Sequence, residues 1–144
     1  MEFNSENIIE LDKLFRINLI NSITGAKPAN LIATRSKNGK DNVAIFSSVV
    51  HLGSKPPMIG FIMRPQTDKN TDTYQNILET KSFTINHITE DLYIEAHKTS
   101  VKTDISEFEL FDLHKEERAF KAPFVKGSPV QIGLNLLKMI DLPN

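Results

Sequence analysis

Any chemistry in this chain must come from hydroxyls, amides and charged side chains, because it has no cysteine and its four histidines (His51, His87, His97 and His114) are scattered. No two of them form a metal-ligand pair at helical spacing, and they read as ordinary surface or loop histidines. The missing thiols exclude a disulfide framework, a cysteine zinc site and a thiol nucleophile. No Walker loop, glycine-rich dinucleotide fingerprint or nucleophile elbow occurs either. Two places carry an anion-binding signal. Arg64 follows the mostly apolar run Met58-Ile59-Gly60-Phe61-Ile62-Met63 and precedes Pro65, so it should project from a strand end. A guanidinium there suits a bidentate phosphate contact, with a surface salt bridge as the plainer use. Lys69, Thr71 and Thr73 stand at the start of a predicted short helix, where free N–H groups and the helix dipole favour an anion. Thr71 serves equally well as a simple N-cap, and Asp72 should turn away from a bound anion and cap the helix.

The elements that would hold these residues are mostly strands. The first 25 residues form the exception, since Ile8, Leu11, Phe15, Leu19 and Ile23 recur at helical spacing. Asn7 with Glu10 could cap that helix, Gly25 could end it, and Pro28 forbids its continuation. The apolar run Leu31-Ile32-Ala33-Thr34 then reads as a strand. Asn38-Gly39 predicts a tight hairpin turn with two positive-φ residues. The return strand runs from Val43 towards Val50, Pro56-Pro57 marks an extended entry, and residues 58–63 form the third strand. Tyr74, Ile77 and Leu78 give the short helix its apolar face, while residues 82–88 alternate as in a half-buried strand. Residues 91–97 read as another short helix, residues 103–128 as mostly loop, and residues 130–140 as a late strand. Phe46, Phe61 and Phe83 fall at strand positions and belong to the core rather than to a stacking platform.

Taken together, the segments have a recognisable order. Lys27-Pro28-Ala29-Asn30-Leu31-Ile32-Ala33-Thr34 precedes the turn, and Asn42-Val43-Ala44-Ile45-Phe46-Ser47-Ser48 follows it. Next come Leu52-Gly53-Ser54-Lys55-Pro56-Pro57, Gly60-Phe61, Arg64-Pro65, Thr71-Asp72-Thr73-Tyr74-Gln75-Asn76-Ile77 and Phe83-Thr84-Ile85-Asn86. Over about residues 15–130 this series resembles the flavin reductase-like, FMN-binding split-barrel family. The family shows an Asn-x-Ala-x-Phe-Ser strand, a Pro-Pro before the next strand and an Asp-Thr-x-x-Asn-Ile helix start.

The resemblance implies a mainly β fold: a Greek-key-like split β-barrel with an N-terminal helix and two short helices, in a single domain over residues 1–144. It implies FMN as cofactor, with FAD as the larger alternative, and NAD(P)H as co-substrate. Ser47 and Ser48 match the hydroxyl-rich strand end that meets the flavin, although either serine could simply face solvent. Thr34 and Ser36 match an edge that contacts the ring or the ribityl chain, against ordinary strand and turn roles. Asn42 matches a residue beside the cofactor and could equally hold the hairpin closed. His97, Lys98, Thr99 and Ser100 match a loop that approaches the flavin from the partner subunit. The activity implied is an oxidoreductase passing electrons from NAD(P)H through a flavin to an acceptor. A flavin-binding or electron-carrier module without NAD(P)H turnover fits the same residues, as does a relative that kept only the fold.

Composition agrees with a soluble, cytoplasmic domain. A chain of 144 residues has room for one core, and such a chain should bury roughly 70% of its unfolded surface. With 17 basic and 18 acidic side chains there is no basic surplus to bind nucleic acid. The polar, acidic amino terminus is the wrong start for a secretory signal, and the longest apolar run is far too short to span a bilayer. Proteins of the resembling family usually continue well past the point where this chain stops. The barrel is therefore expected to be shortened or closed differently, with a second subunit covering an open sheet edge in a homodimer.

Overall fold

The computed structural model describes residues 3–66 and 70–142. Helix α1 (Ser5–Glu10) is capped by Asn4, whose side chain accepts the Asn7 N–H at 2.8 Å while Asn7 answers in kind. Helix α2 (Lys13–Ile23) starts afresh, because the Asp12 carboxylate accepts the N–H groups of Leu14 and Phe15. The single helix expected here is thus two. A short acidic side chain that satisfies the N–H groups ahead of it favours a cap over a helix interior. Arg16 bridges the break by donating to the Ile9 carbonyl at 2.6 Å. Gly25, at φ +79°, ends α2 as its sequence suggested. The apolar stripe of α2 meets no core, and none of its residues is buried.

Strands β1 (Asn30–Arg35) and β2 (Asp41–Phe46) pair antiparallel around the Asn38-Gly39 turn. Only Gly39 takes a positive φ there. The Gly39 N–H donates to the Ser36 carbonyl at 3.0 Å and the Ser36 N–H to that of Lys40 at 2.9 Å. The connection is therefore a three-residue loop with glycine in the left-handed position, not the two-residue turn expected. Strand β2 also stops at Phe46 and does not run on to Val50. Strands β3 (Val50–Ser54) and β4 (Pro57–Gly60) instead make a separate hairpin. Pro56 sits in its turn, after a cis Lys55–Pro56 bond, so the Pro-Pro pair does not mark an extended entry.

Helix α3 (Asp72–Thr80) leads through left-handed Lys81 into β5 (Ser82–His87). A 3₁₀ turn at Glu90–Leu92 and α4 (Tyr93–Lys98) follow. The stretch expected as loop holds one helical turn, α5 (Glu107–Leu110), and the short pair β6 (Lys115–Glu116) and β7 (Phe124–Val125). The late strand is β8 (Gln131–Asn135). Among the described residues there are five short α-helices where three were anticipated, around a mostly antiparallel β framework.

The main sheet has the order β2-β1-β5-β8, antiparallel throughout. Strand β5 is buried along nearly its whole length, where alternation had suggested half-burial. Both faces of the sheet are covered. On one, Leu31, Ala33 and Val43 pack with Ala96, Leu113 and Val125. On the other, Ile32, Phe83 and Ile85 pack with Ile77 of α3 and with Phe46 and Phe61. The Phe46, Phe61 and Phe83 rings meet edge-on at 5.2 and 5.4 Å, so they are core as anticipated. Among the described residues no helix is long and apolar enough to cross a membrane.

Candidate functional site

The sequence singled out eleven positions, and the structure sorts ten of them into three places; Lys69 lies outside the described residues. The first place is a surface rim beside the end of β2. Ser47 and Ser48 follow the last residue of that strand, with Ser47 exposed. The Ser48 Oγ donates to the Ile62 carbonyl at 2.8 Å and accepts the Ile62 N–H at 3.1 Å. One hydroxyl thereby does the work of a ladder step between two segments. It holds the loop after β4, which carries Arg64, against the end of β2. Because β4 ends at Gly60, Arg64 stands in this loop and not at a strand terminus, and it is exposed.

The loop then closes on the start of α3 through Gln66. Its side-chain amide donates to the Arg64 carbonyl at 2.8 Å, and its Oε1 accepts the Thr71 N–H at 2.9 Å and the Thr71 hydroxyl at 3.1 Å. Thr71 occupies the N-cap position, but with its hydroxyl engaged by Gln66 it makes no capping bond to the first turn. Asp72 does not cap either. Its carboxylate lies 3.6 Å from Lys40 Nζ, an exposed pair of modest strength that partly offsets the negative charge at this helix start. Gln66 was not foreseen, and nothing in its sequence context marks it.

The second place is internal. Thr34 and Asn42 sit opposite each other in the β1–β2 ladder and point at α3. Asn42 Nδ2 donates to Thr73 Oγ1, and Asn76 Nδ2 donates to Thr34 Oγ1, each at 3.0 Å. None of the four residues is more than 6% exposed. As placed, Thr34, Asn42 and Thr73 offer no surface to a ligand, contrary to the expectation that they touch the flavin. Such buried neutral bonds contribute about 1 kcal/mol each, and orphaning one partner costs about 1–3 kcal/mol. Ser36, at the hairpin, accepts the Lys40 N–H at 3.0 Å, which is a turn role.

The third place is the end of α4. Exposed His97 lines a shallow apolar pocket of about 280 Å³ with Ala29, Ile45, Ile88 and Tyr93. Thr99 is buried and donates to the Ala96 carbonyl at 2.7 Å, closing the helix. His97 and Thr99 are thus two residues apart but differ in availability.

Two charged groups set the electrostatics near the β1–β2 hairpin. Burial would push the Asp41 carboxyl up, but hydrogen bonds and charge from Arg35 and Lys115 hold it below its ordinary range. The contacts are 2.6 Å from Arg35 Nε and 2.7 Å from Lys115 Nζ. Glu107 shows the opposite balance. Burial raises its carboxyl, against bonds from its own N–H and from the Val43 N–H at 3.1 Å. The Asp72 charge raises it further, and Lys40 lowers it. Among the described residues no group of three or more histidine or acidic side chains could hold a metal ion.

Known proteins share this fold. Residues 24–142 match the model of the flavin reductase like domain. An uncharacterized protein of Aquifex aeolicus is 31% identical over 136 residues, which cover 91% of this chain and 68% of that protein. A split-barrel-domain protein from Shewanella frigidimarina is 41% identical and superposes with a TM-score of 0.93, over 99% of this chain and 71% of the other. The FMN-binding domain of a flavin reductases-like enzyme from Shewanella baltica has the same fold at 23% identity and a TM-score of 0.69, over 78% of this chain and 59% of its own.

Proposed function

The chain belongs to the flavin reductase like family, and from that premise we propose that it binds FMN at the rim of Ser47, Ser48, Arg64 and Thr71. It passes electrons from NADH or NADPH through the flavin to an acceptor. The observation that carries this reading is the pair of hydrogen bonds between Ser48 and Ile62, which holds the loop bearing exposed Arg64 against the end of β2 next to exposed Ser47.

The residues present fit the cofactor by their chemistry. Arg64 is exposed and can pair with a phosphate dianion bidentately. The first turn of α3 has no cap from Thr71, so its N–H groups suit the same anion. Ser47 is free to donate to a ribityl chain or ring edge, while Ser48 retains its structural bonds. FAD would use the same phosphate contacts. When bound, FMN supplies a ring that takes up a hydride and hands its electrons onward.

This chain's residues then have three tasks: to hold the phosphate end, to orient the ring, and to keep the rim rigid. No side chain of the rim has to move a proton for hydride transfer. Thr34, Asn42 and Thr73 support the start of α3 from within. We further propose a homodimer. The unburied stripe of α2, with Phe15 at 49% and Ile23 at 65% exposed, is apolar surface for a second subunit to cover. His97 enters the proposal only through that second subunit, as the loop that would face the partner's flavin.

The test is steady-state oxidation of NADH and NADPH by the FMN-loaded protein. Turnover above that of free FMN supports a reductase. Tight FMN binding without turnover favours the electron-carrier alternative.

A further inference from the structure

We infer that Asn42, through Thr73, is a positioning residue that sets where the first turn of α3 stands relative to the rim. The inference rests on the FMN reading above. The face of the sheet that carries α3 is otherwise apolar, with Ile32, Phe83 and Ile85 packed under Ile77. Apolar packing resists separation of a helix from a sheet but is weakly directional, so it tolerates small slides and rotations. Hydrogen bonds do not, since their strength falls steeply with distance and angle. Thr73 and Asn76 are three residues apart and so share one side of the helix. Each meets one of two strand residues that sit directly opposite in the ladder, Asn42 and Thr34.

Two such bonds fix the helix in rotation and along its axis. The Asn42–Thr73 bond acts at the second residue of α3, within the turn whose N–H groups would face the phosphate. Asn42 is the second residue of β2, whose other end at Phe46 leads into Ser47 and Ser48. One bond therefore ties the start of α3 to the strand that leads into the hydroxyl side of the rim. The Thr71–Gln66 contact cannot replace it, because Gln66 belongs to the loop and not to the sheet.

Asn42→Leu, Thr73→Val, Thr73→Ser and the double variant Asn42→Leu/Thr73→Val test this by FMN and riboflavin titration, with thermal melts of each. Misplacing the helix start should weaken FMN roughly tenfold in both single variants while riboflavin, lacking the phosphate, changes less than about twofold. Thr73→Ser, which keeps the hydroxyl, should hold FMN affinity to within about twofold of the parent. The double variant removes both polar groups, so it should regain thermal stability but not FMN affinity. Unchanged FMN binding in Asn42→Leu, with loss only in Thr73→Val, would mean that Thr73 touches the phosphate itself and would overturn the positioning role. Equal losses for both flavins would overturn it as well. If the parent protein binds neither flavin, the FMN reading fails and takes this inference with it. If Arg64→Ala selectively loses FMN while all the Asn42 and Thr73 variants bind normally, only the positioning role fails.

Discussion

Ser48 and Ile62 are joined twice through one hydroxyl, which donates to the Ile62 carbonyl at 2.8 Å and accepts its N–H at 3.1 Å. The two segments it joins have left their strands, since β2 ends at Phe46 and β4 at Gly60. A side chain thus takes over where the backbone ladders stop. Ser48→Ala should cost about 1 kcal/mol, or roughly 3–5 °C in melting temperature for a domain of this size. It should also weaken FMN more than it lowers stability at assay temperature, because Arg64 travels on the freed loop. A melt coupled to an FMN titration checks both. A stability loss with unaltered FMN affinity would detach this bond from the rim.

Asp41 should set the acid limb of stability. Its carboxyl is 5% exposed and is held below its ordinary value of 3.8 by Arg35 and Lys115, despite burial. A lowered folded pKa adds stability above the unfolded value, and that stability is lost as pH falls through the folded pKa. Asp41→Asn should cost about 1.5–3 kcal/mol at neutral pH, because Arg35 and Lys115 lose their buried partner and keep only exposed Glu117. Its stability should then decline less than the parent's below pH about 4. Denaturation curves at neutral and acid pH measure this directly.

Glu107 should behave in the opposite sense. Burial raises its carboxyl above 4.5, so the folded chain carries a penalty for charging it at neutral pH. The folded state binds its proton more tightly, and stability from this group grows as pH falls towards the unfolded value. Glu107→Gln retains an oxygen for the Val43 N–H and removes the charge. The variant should be more stable than the parent near pH 7, and its advantage should shrink as pH approaches about 4.5. A constant difference across that range would contradict the assignment.

How much of this was legible in the sequence depended on the range of the interaction. The strands around Leu31, Val43 and Ile85 showed in their apolar composition, and Gly25 marked its helix end. The break at Asp12 was missed because five apolar residues at helical spacing outvoted one capping side chain. Full burial of β5 was missed because alternation on a single strand cannot show that a second layer covers its polar face. Thr34, Asn42 and Thr73 were selected as residues that matter, but their polar partners lie 42 and 31 residues away. Spacing in the chain gives no access to such pairs, so ligand contact and internal contact look alike from sequence.

Arg64 should discriminate between flavins. It is exposed, and the loop that carries it is pinned at Ser48 and Gln66. Arg64→Ala should weaken FMN roughly tenfold and leave riboflavin within about twofold, since charge-assisted phosphate contacts are among the stronger hydrogen bonds. Parallel fluorescence titrations of the two flavins read the ratio. Equal losses would assign Arg64 to the fold of the loop and not to the phosphate.

A surface rim, stitched by Ser48 and flanked by α3, is proposed to hold a phosphorylated flavin. Gel filtration of the protein after mixing with FMN, monitored through the flavin absorption bands, tests it most directly. The prediction is flavin absorbance travelling with the protein peak, at the position of a dimer, and a weaker signal when riboflavin replaces FMN. A colourless protein peak, with all the FMN eluting as free small molecule, would contradict it.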